Sequence, residues 1–301
     1  MRVGAFEIQE PVPELRSPHA LVMIRPWVDV GSVGTLTLSR LERHFEAKDL
    51  GKLAKPGTFF DFTRYRPTVR NVEGGGRETT FPNSNIKCAQ PEQGPDLLFL
   101  HLLEPHAMAE EYIESLVELL KYFQVSVYTR LGAMYDSVPH TRPIVVTGNT
   151  GSIEPRPGTT PPLVQQRGNS YEGPTTIMNL LTEAATHMGA ATMNFMAHLP
   201  HYAQLEEDFA GTAKMLQVLS AFYEFPVNVA PNRRGERQYQ ELNGAVERDQ
   251  SIKSLVSRLE AHYDATYEHP QQTDKPAASE QPQIELSPEI EQFLRGLDKE
   301  L

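Results

Sequence analysis

Two histidines and a glutamate fall within six residues at His101-Leu-Leu-Glu104-Pro105-His106, the set of side chains in this chain most suited to a divalent metal. A helical metal site needs its ligands on successive turns, and Pro105 behind an apolar, strand-like run denies that geometry. His198-Leu199-Pro200-His201 has the same defect, so strand-end histidines and a capping carboxylate are the simpler roles and no metal ligand is assigned. Asp136, His140 and Arg142 share one short loop and have the chemistry either for acid–base or anion-binding work or for anchoring that loop. Asp29-Val30-Gly31-Ser32-Val33-Gly34 precedes a helical pattern, which places backbone N–H groups at a helix N-terminus as an anion cradle. Its two glycines three apart match neither the dinucleotide fingerprint nor the P-loop, whose lysine is also missing, and a tight strand-to-helix turn is the plainer reading of them. There is no Gly-x-Ser-x-Gly elbow, and Cys88 lies in a loop-like stretch with no base beside it. No catalytic residue and no cofactor is assigned. The loop candidates for binding are Asp29, Gly31, Gly34, His140, Arg142, Tyr171 and Gly173.

These residues need strands and helices to hold them. Val125 to Gly148 reads as strand, loop, strand, with a break at Gly132 and a turn bounded by Pro139, and it is expected in the middle of the sheet. Ala20 to Arg25 and Asp96 to Leu102 are apolar at nearly every position, as strands covered on both faces are. Thr58 to Phe62 is strand-like, and Arg66 to Phe81 reads as an antiparallel hairpin around Gly74-Gly75-Gly76, so the sheet is expected to be mixed. Met108, Tyr112, Leu116, Leu120 and Phe123 form one helical row, with Glu110, Glu111, Glu114 and Glu118 on the wet side. Ser152 to Asn169 is a long proline-rich loop, followed by a helix from Ile177, a strand from Ala191 to Leu199 and a helix from Phe209 to Phe222. The alternation predicts an α/β domain with a mixed, mostly parallel sheet, and sites in such folds lie in loops at strand ends.

The composition turns polar at Pro231, which divides the chain into an α/β domain over 1–230 and a helical extension over 231–301. Ile252, Leu255, Val256, Leu259 and Tyr263 mark one helix of the extension, and Ile290, Phe293, Leu294, Leu297 and Leu301 mark a second. The segment 269–285 between them has the composition of a mobile linker. The second stripe is expected to pack on the first helix, on the α/β body or on a neighbouring subunit. Of a formal net charge of −11, the last 38 residues contribute −6, from nine acids and three bases. No basic patch able to neutralise several phosphates is evident, so nucleic acid is not an expected partner. A lone cysteine rules out an intrachain disulfide, no run is apolar for the roughly 18 residues of a membrane span, and the first residues lack the apolar core of a secretory signal. A cytoplasmic location and no membrane partner are expected.

The order of segments resembles the PAC2 family, named for proteasome assembly chaperones. The resemblance rests on Asp29-Val30-Gly31, Phe59-Phe60-Asp61-Phe62 with Arg66-Pro67, Asp96-Leu97-Leu98 with Glu104-Pro105, and Leu131-Gly132-Ala133 with Val138 to Pro143. Tyr171-Glu172-Gly173-Pro174 and Leu199-Pro200-His201-Tyr202 complete it, over Ala20 to Asn228. It implies a three-layer α/β/α sandwich similar to the purine nucleoside phosphorylase fold, generally without that activity, with a helical extension like that of the bacterial branch. Relatives that dock on the proteasome ring carry a C-terminal hydrophobic-Tyr-any tail, whereas this chain ends Lys299-Glu300-Leu301, so docking through such a tail is not expected. The reading is a protein-binding, chaperone-like homo-oligomer, such as a trimer, with a further protein partner of unknown identity. The alternative is a phosphorylase- or nucleosidase-like enzyme with its anion site at Gly31 to Gly34 and the His140/Arg142 loop for a base or sugar.

Overall fold

Strand residues covered on both faces alternate between two cores, and the run Ala20 to Ile24 does so without a polar break. Ala20, Val22 and Ile24 face one core while Leu21 and Met23 face the other, and all five are buried. The computed structural model describes residues 1–72, 75–165, 173, 175–225 and 233–268. In chain order it has β1 (Arg2–Val3), β2 (Phe6–Ile8), β3 (His19–Arg25), α1 (Val33–His44), β4 (Lys48–Leu53), β5 (Thr68–Val72), β6 (Gly76–Thr80), β7 (Asn85–Ala89) and β8 (Leu97–Leu103). There follow α2 (Ala109–Tyr122), β9 (Val127–Asp136), β10 (Val145–Asn149), β11 (Val164–Gln165), α3 (Ile177–His187), β12 (Ala191–Pro200), α4 (Phe209–Leu219), α5 (Arg233–Val246) and α6 (Gln250–Tyr263).

Ten strands form one sheet in the order β1-β2-β4-β7-β8-β3-β9-β12-β10-β11, and β5 and β6 form a separate two-stranded sheet. Helices α2 and α3 cover one face of the large sheet through Tyr112, Leu116, Leu120, Met178 and Leu181. Helices α1 and α4 cover the other through Val33, Leu38, Leu41, Met215 and Leu219. The result is the expected three-layer α/β/α sandwich. Three helix starts, those of α3, α4 and α6, are fixed by side-chain caps: the Thr176 hydroxyl accepts from the Met178 N–H at 3.1 Å, Asp208 from the Gly211 N–H at 2.7 Å, and Asp249 from the Ser251 N–H at 2.8 Å. No helix among the described residues is long and apolar enough to cross a membrane.

The sheet is mixed, but its parallel part is confined to the run β8-β3-β9-β12 and the short β10–β11 pair, and the other five pairings are antiparallel. The expectation of a mostly parallel sheet therefore holds for the centre alone. The short strands β1, β2, β4 and β7 have no long apolar run to announce them. Cys88 lies in β7 as a buried residue, not in a loop, and burial pushes its thiol pKa up. Thr58 to Phe62 is no strand. Pro56–Thr58 is a 3₁₀ turn, and Phe59 and Phe60 are buried beside Tyr112, so their aromatic, β-prone character reflects packing. The hairpin from Arg66 forms as β5 and β6 but stands apart from the main sheet with every strand residue exposed. Gly132 is no break: it lies inside β9, where a Cβ would come 2.9 Å from the Val28 carbonyl oxygen. β9 and β10 are not neighbours, because β12 runs between them, parallel to β9 and antiparallel to β10.

That insertion leaves little room at Gly148, where a Cβ would sit 1.8 Å from the Asn194 carbonyl oxygen of β12. Backbone on both sides cannot yield as a flexible side chain would. Gly148→Ala is expected to cost about 2–4 kcal/mol, measured as a lower urea midpoint at unchanged slope.

Candidate functional site

Strands β3, β9 and β12 run parallel, so their carboxyl ends open at one end of the sheet, and the loops after them hold the residues singled out from the sequence. The loop after β3 folds onto α1. Asp29 is 8% exposed, and its Oδ1 accepts from the Gly34 N–H at 2.6 Å and the Thr35 N–H at 3.2 Å, while Oδ2 accepts from the Thr35 hydroxyl at 2.5 Å. The N–H groups at this helix N-terminus do hold an anion, and it is the chain's own carboxylate. Burial raises the Asp29 pKa despite these bonds. Gly31 takes φ +58°, and a Cβ there would meet the Asp208 Cβ at 2.8 Å, so this glycine serves close packing against the next loop.

The loop after β12 answers it. The Asp208 N–H donates to the Gly31 carbonyl at 2.7 Å, and the Ser32 hydroxyl donates to the Glu206 carbonyl at 3.0 Å. Asp208 caps α4 through Oδ1 and accepts from the Tyr239 hydroxyl of α5 at 2.9 Å through Oδ2. Burial raises the Asp208 pKa, and burial followed by the neighbouring Asp208 raises that of Tyr239.

The loop after β9 carries His140 and Arg142, and both turn toward the C-terminal helices. His140 Nε2 lies 2.9 Å from Asn243 Oδ1 on α5, and its Nδ1 lies 2.5 Å from the Tyr202 hydroxyl, which also accepts from the His140 N–H at 2.8 Å. One arrangement satisfies all three: Nε2–H donates to Asn243 and Tyr202 donates to Nδ1, which makes His140 a neutral imidazole. Burial lowers its pKa accordingly. Arg142 donates through Nε and Nη2 to the two Asp264 carboxylate oxygens, each at 2.7 Å, and through Nη1 to Glu260 at 3.1 Å. The Tyr263 hydroxyl donates to the Pro143 carbonyl at 2.8 Å, and Tyr263 packs with Val138 and Val145. Of the two roles open to this loop, anchoring is the one observed.

The histidine clusters divide in the same way. His101 Nε2 bonds Glu42, which also pairs with Lys87 at 3.1 Å; burial alone would raise the Glu42 pKa, but these partners outweigh it and the net shift is down. His106 Nδ1 accepts from the Asp61 N–H at 3.1 Å. His198 bridges Asp136 and Thr147, at 2.7 Å to each. Among the described residues no group of three or more His, Cys, Asp or Glu is placed to hold a metal ion. Gly173 lies in a bend, and Tyr171 lies outside the described residues.

Sequence reading missed α5, which begins just past the change in composition at Pro231. Most of its inward contacts are polar: besides Tyr239 and Asn243, Gln238 accepts from the Phe209 N–H at 3.1 Å and donates to the Glu207 carbonyl at 2.8 Å. A helix docked largely by amides and a phenol, with apolar packing confined to Leu242 and Val246 near its end, shows too short a stripe to reveal it. All five apolar residues expected along α6 are buried, with Tyr202, Ala203 and Val246 against four of them. The helix expected from Ser287 to Leu301 and the linker 269–285 lie outside the described residues.

The family model for the PAC2 family matches residues 23–243, most of the chain, and the protein belongs to that family. Among solved structures it is similar to a Corynebacterium glutamicum protein of unknown function at 23% identity and TM-score 0.73, covering 87% of this chain and 98% of that one. A PAC2 family protein from Streptomyces avermitilis matches at 24% identity and TM-score 0.64, covering 79% and 99%. A proteasome-assembly chaperone homologue from Mycobacterium tuberculosis matches at 23% identity and TM-score 0.65, again covering 79% and 99%. No curated protein matches the sequence.

The clamp generates two predictions. Arg142→Ala removes a bidentate, partly buried pair and is expected to cost about 1–2 kcal/mol, between exposed and buried pairs. Hydrogen exchange should quicken over α6 first and leave β3 and β8 protected. His140 is held below its ordinary pKa of 6.5, so the docked state has its full stability above pH 6.5 and loses it as pH falls from there toward the lowered value. Protection of α5 should fall between pH 7.5 and 5.5 and should lose that pH dependence in His140→Gln.

Proposed function

We propose that this is a non-enzymatic, protein-binding member of the PAC2 family, chaperone-like in action and assembled as a closed homo-oligomer such as a trimer. The observation that carries the reading is the engagement of His140 and Arg142 with α5 and α6. These are the side chains that a phosphorylase- or nucleosidase-like site would use on a base or sugar, and Asp29 already sits in the anion cradle. Surface character supports the same reading. The β5–β6 hairpin holds Val69 and Val72 in solvent, and Phe81 beyond it is 50% exposed. A two-stranded sheet is marginal by itself, and one with apolar side chains gains stability when a partner covers it. The likeness to a proteasome-assembly chaperone homologue supports assembly work as the class of function. The α2 stripe lends no support to self-association, since Tyr112, Leu116, Leu119, Leu120 and Phe123 are buried within the chain and Met108 alone of that row is exposed.

Affinity capture from the source cell, quantified by mass spectrometry, should enrich a defined partner at near-stoichiometric yield, and mass photometry should show one closed oligomer. The triple variant Val69→Ser, Val72→Ser, Phe81→Ser should lose most of the captured partner while keeping the native circular dichroism spectrum. Phosphate-dependent release of a free base from nucleosides, abolished by His140→Ala, would overturn the reading. A monomer at every concentration would reject the oligomer.

A further inference from the structure

A second opening lies at the same end of the sheet, beyond β3 and β8 and away from the His140 clamp. It is a cavity of about 270 Å³ whose lining includes Trp27, Tyr65, Glu104, His106 and Thr176. Its walls are well set. Tyr65 donates to the Glu104 carbonyl at 3.0 Å and packs against His106 at a 55° tilt with ring centroids 4.4 Å apart, and the His106 ring accepts from the Asp61 N–H. Trp27 is the exception, with 63% of its surface in solvent.

Glu104 is the unusual member of this group. Its Oε1 accepts from the Ile177 N–H at 3.2 Å at the start of α3, but Oε2 is buried and has no hydrogen-bond partner among the described residues. Among the described residues no basic side chain lies within ion-pair distance of it. A carboxylate taken out of water without a cation or a full set of donors is destabilising, and such groups are ordinarily paired. An exposed indole beside an unpaired carboxylate is the combination that holds a cation, the ring face and the acid contributing from different sides.

We propose that this cavity is a recognition pocket for a compact cation, the guanidinium or ammonium head of a basic side chain presented by a partner protein. The proposal rests on the protein-binding reading above and gives that binding its chemistry. The volume lies below that of a usual small-molecule site and suits a side-chain head group better than a nucleoside. Arginine fits best, since its planar head can stack on Trp27 while its N–H fork faces Glu104, and buried arginines are frequent anchors in protein interfaces. Burial pushes the Glu104 pKa up, as expected of a carboxylate without a counter-ion, and a seated cation would bring it down.

Trp27 is the sole tryptophan of the chain, so its fluorescence reports on this pocket and nothing else. The probes are an uncharged-end tripeptide with a central arginine, the same peptide with citrulline, and free agmatine, all at constant ionic strength. The arginine peptide should shift Trp27 emission saturably and the citrulline peptide should not. Glu104→Gln, which keeps the oxygen that caps Ile177, should weaken binding about tenfold or more. Trp27→Ala, at an exposed position that folding does not need, should weaken it several-fold by calorimetry. Equal responses to arginine and citrulline, or no saturable change with either, would overturn the pocket. Tighter binding of agmatine than of the arginine peptide would overturn a protein as the source. The two readings fail separately. Partner capture that persists while Trp27 stays silent removes the pocket and leaves the protein-binding function, whereas a saturable Trp27 response without any captured partner does the reverse.

Discussion

The carboxylate of Asp208 is 1% exposed, and three parts of the molecule meet on it. Its backbone N–H holds the Gly31 turn, one oxygen caps α4 and the other receives the Tyr239 hydroxyl of α5. A buried acid is tolerated only when its lone pairs are filled, so α4 and α5 are fixed by the need to satisfy this carboxylate, while the backbone N–H of the same residue ties in the Gly31 turn. The first turn of α4 adds its dipole to the same end. From that point the arrangement spreads outward: Gly31 leads to Asp29, which starts α1, and Tyr239 leads along α5 to Asn243 and His140. The carboxyl end of the sheet, where folds of this kind leave a crevice, is here knitted together on this side by the chain's own polar groups.

Legibility in the sequence followed apolarity. Ala20 to Ile24, the Asp96 to Leu102 run and the rows of α2 and α6 could be read because burial on one or two faces imposes a period, and that period survives in the residue types. Short flanking strands such as β4, with Lys48, Asp49 and Lys52 facing solvent, have no such imprint. Thr58 to Phe62 shows the opposite failure, since aromatic residues needed to pack around Tyr112 mimic a strand. Nor does local pattern tell that β12 parts β9 from β10, because the pairing joins residues far apart in the chain.

For the candidate site the residues were found but their partners were not. Asp29, Gly31, His140 and Arg142 do lie together at one end of the sheet, yet the groups that define their roles are Asp208, Tyr202, Asn243, Glu260 and Asp264. Arg142 and Asp264 are 122 positions apart. An ion pair of that span leaves no trace in spacing or composition, and an anchoring arginine and a ligand-binding one are the same letter. The exposed Trp27 and the unpaired Glu104 oxygen are likewise properties of surroundings rather than of residue type.

The placement of β12 between β9 and β10 also sets an order on biogenesis. A growing chain that has completed β10 holds two apolar strands that cannot pair with each other in the native register, and their shared neighbour is made some fifty residues later. Val145 and Val146 must wait for His198 and Ala197, while β9 can already settle beside β3. The sheet therefore grows from β8 and β3 toward β10, and a ribosome stalled before Ala191 carries an open edge at β9, an unpaired strand edge prone to mispairing.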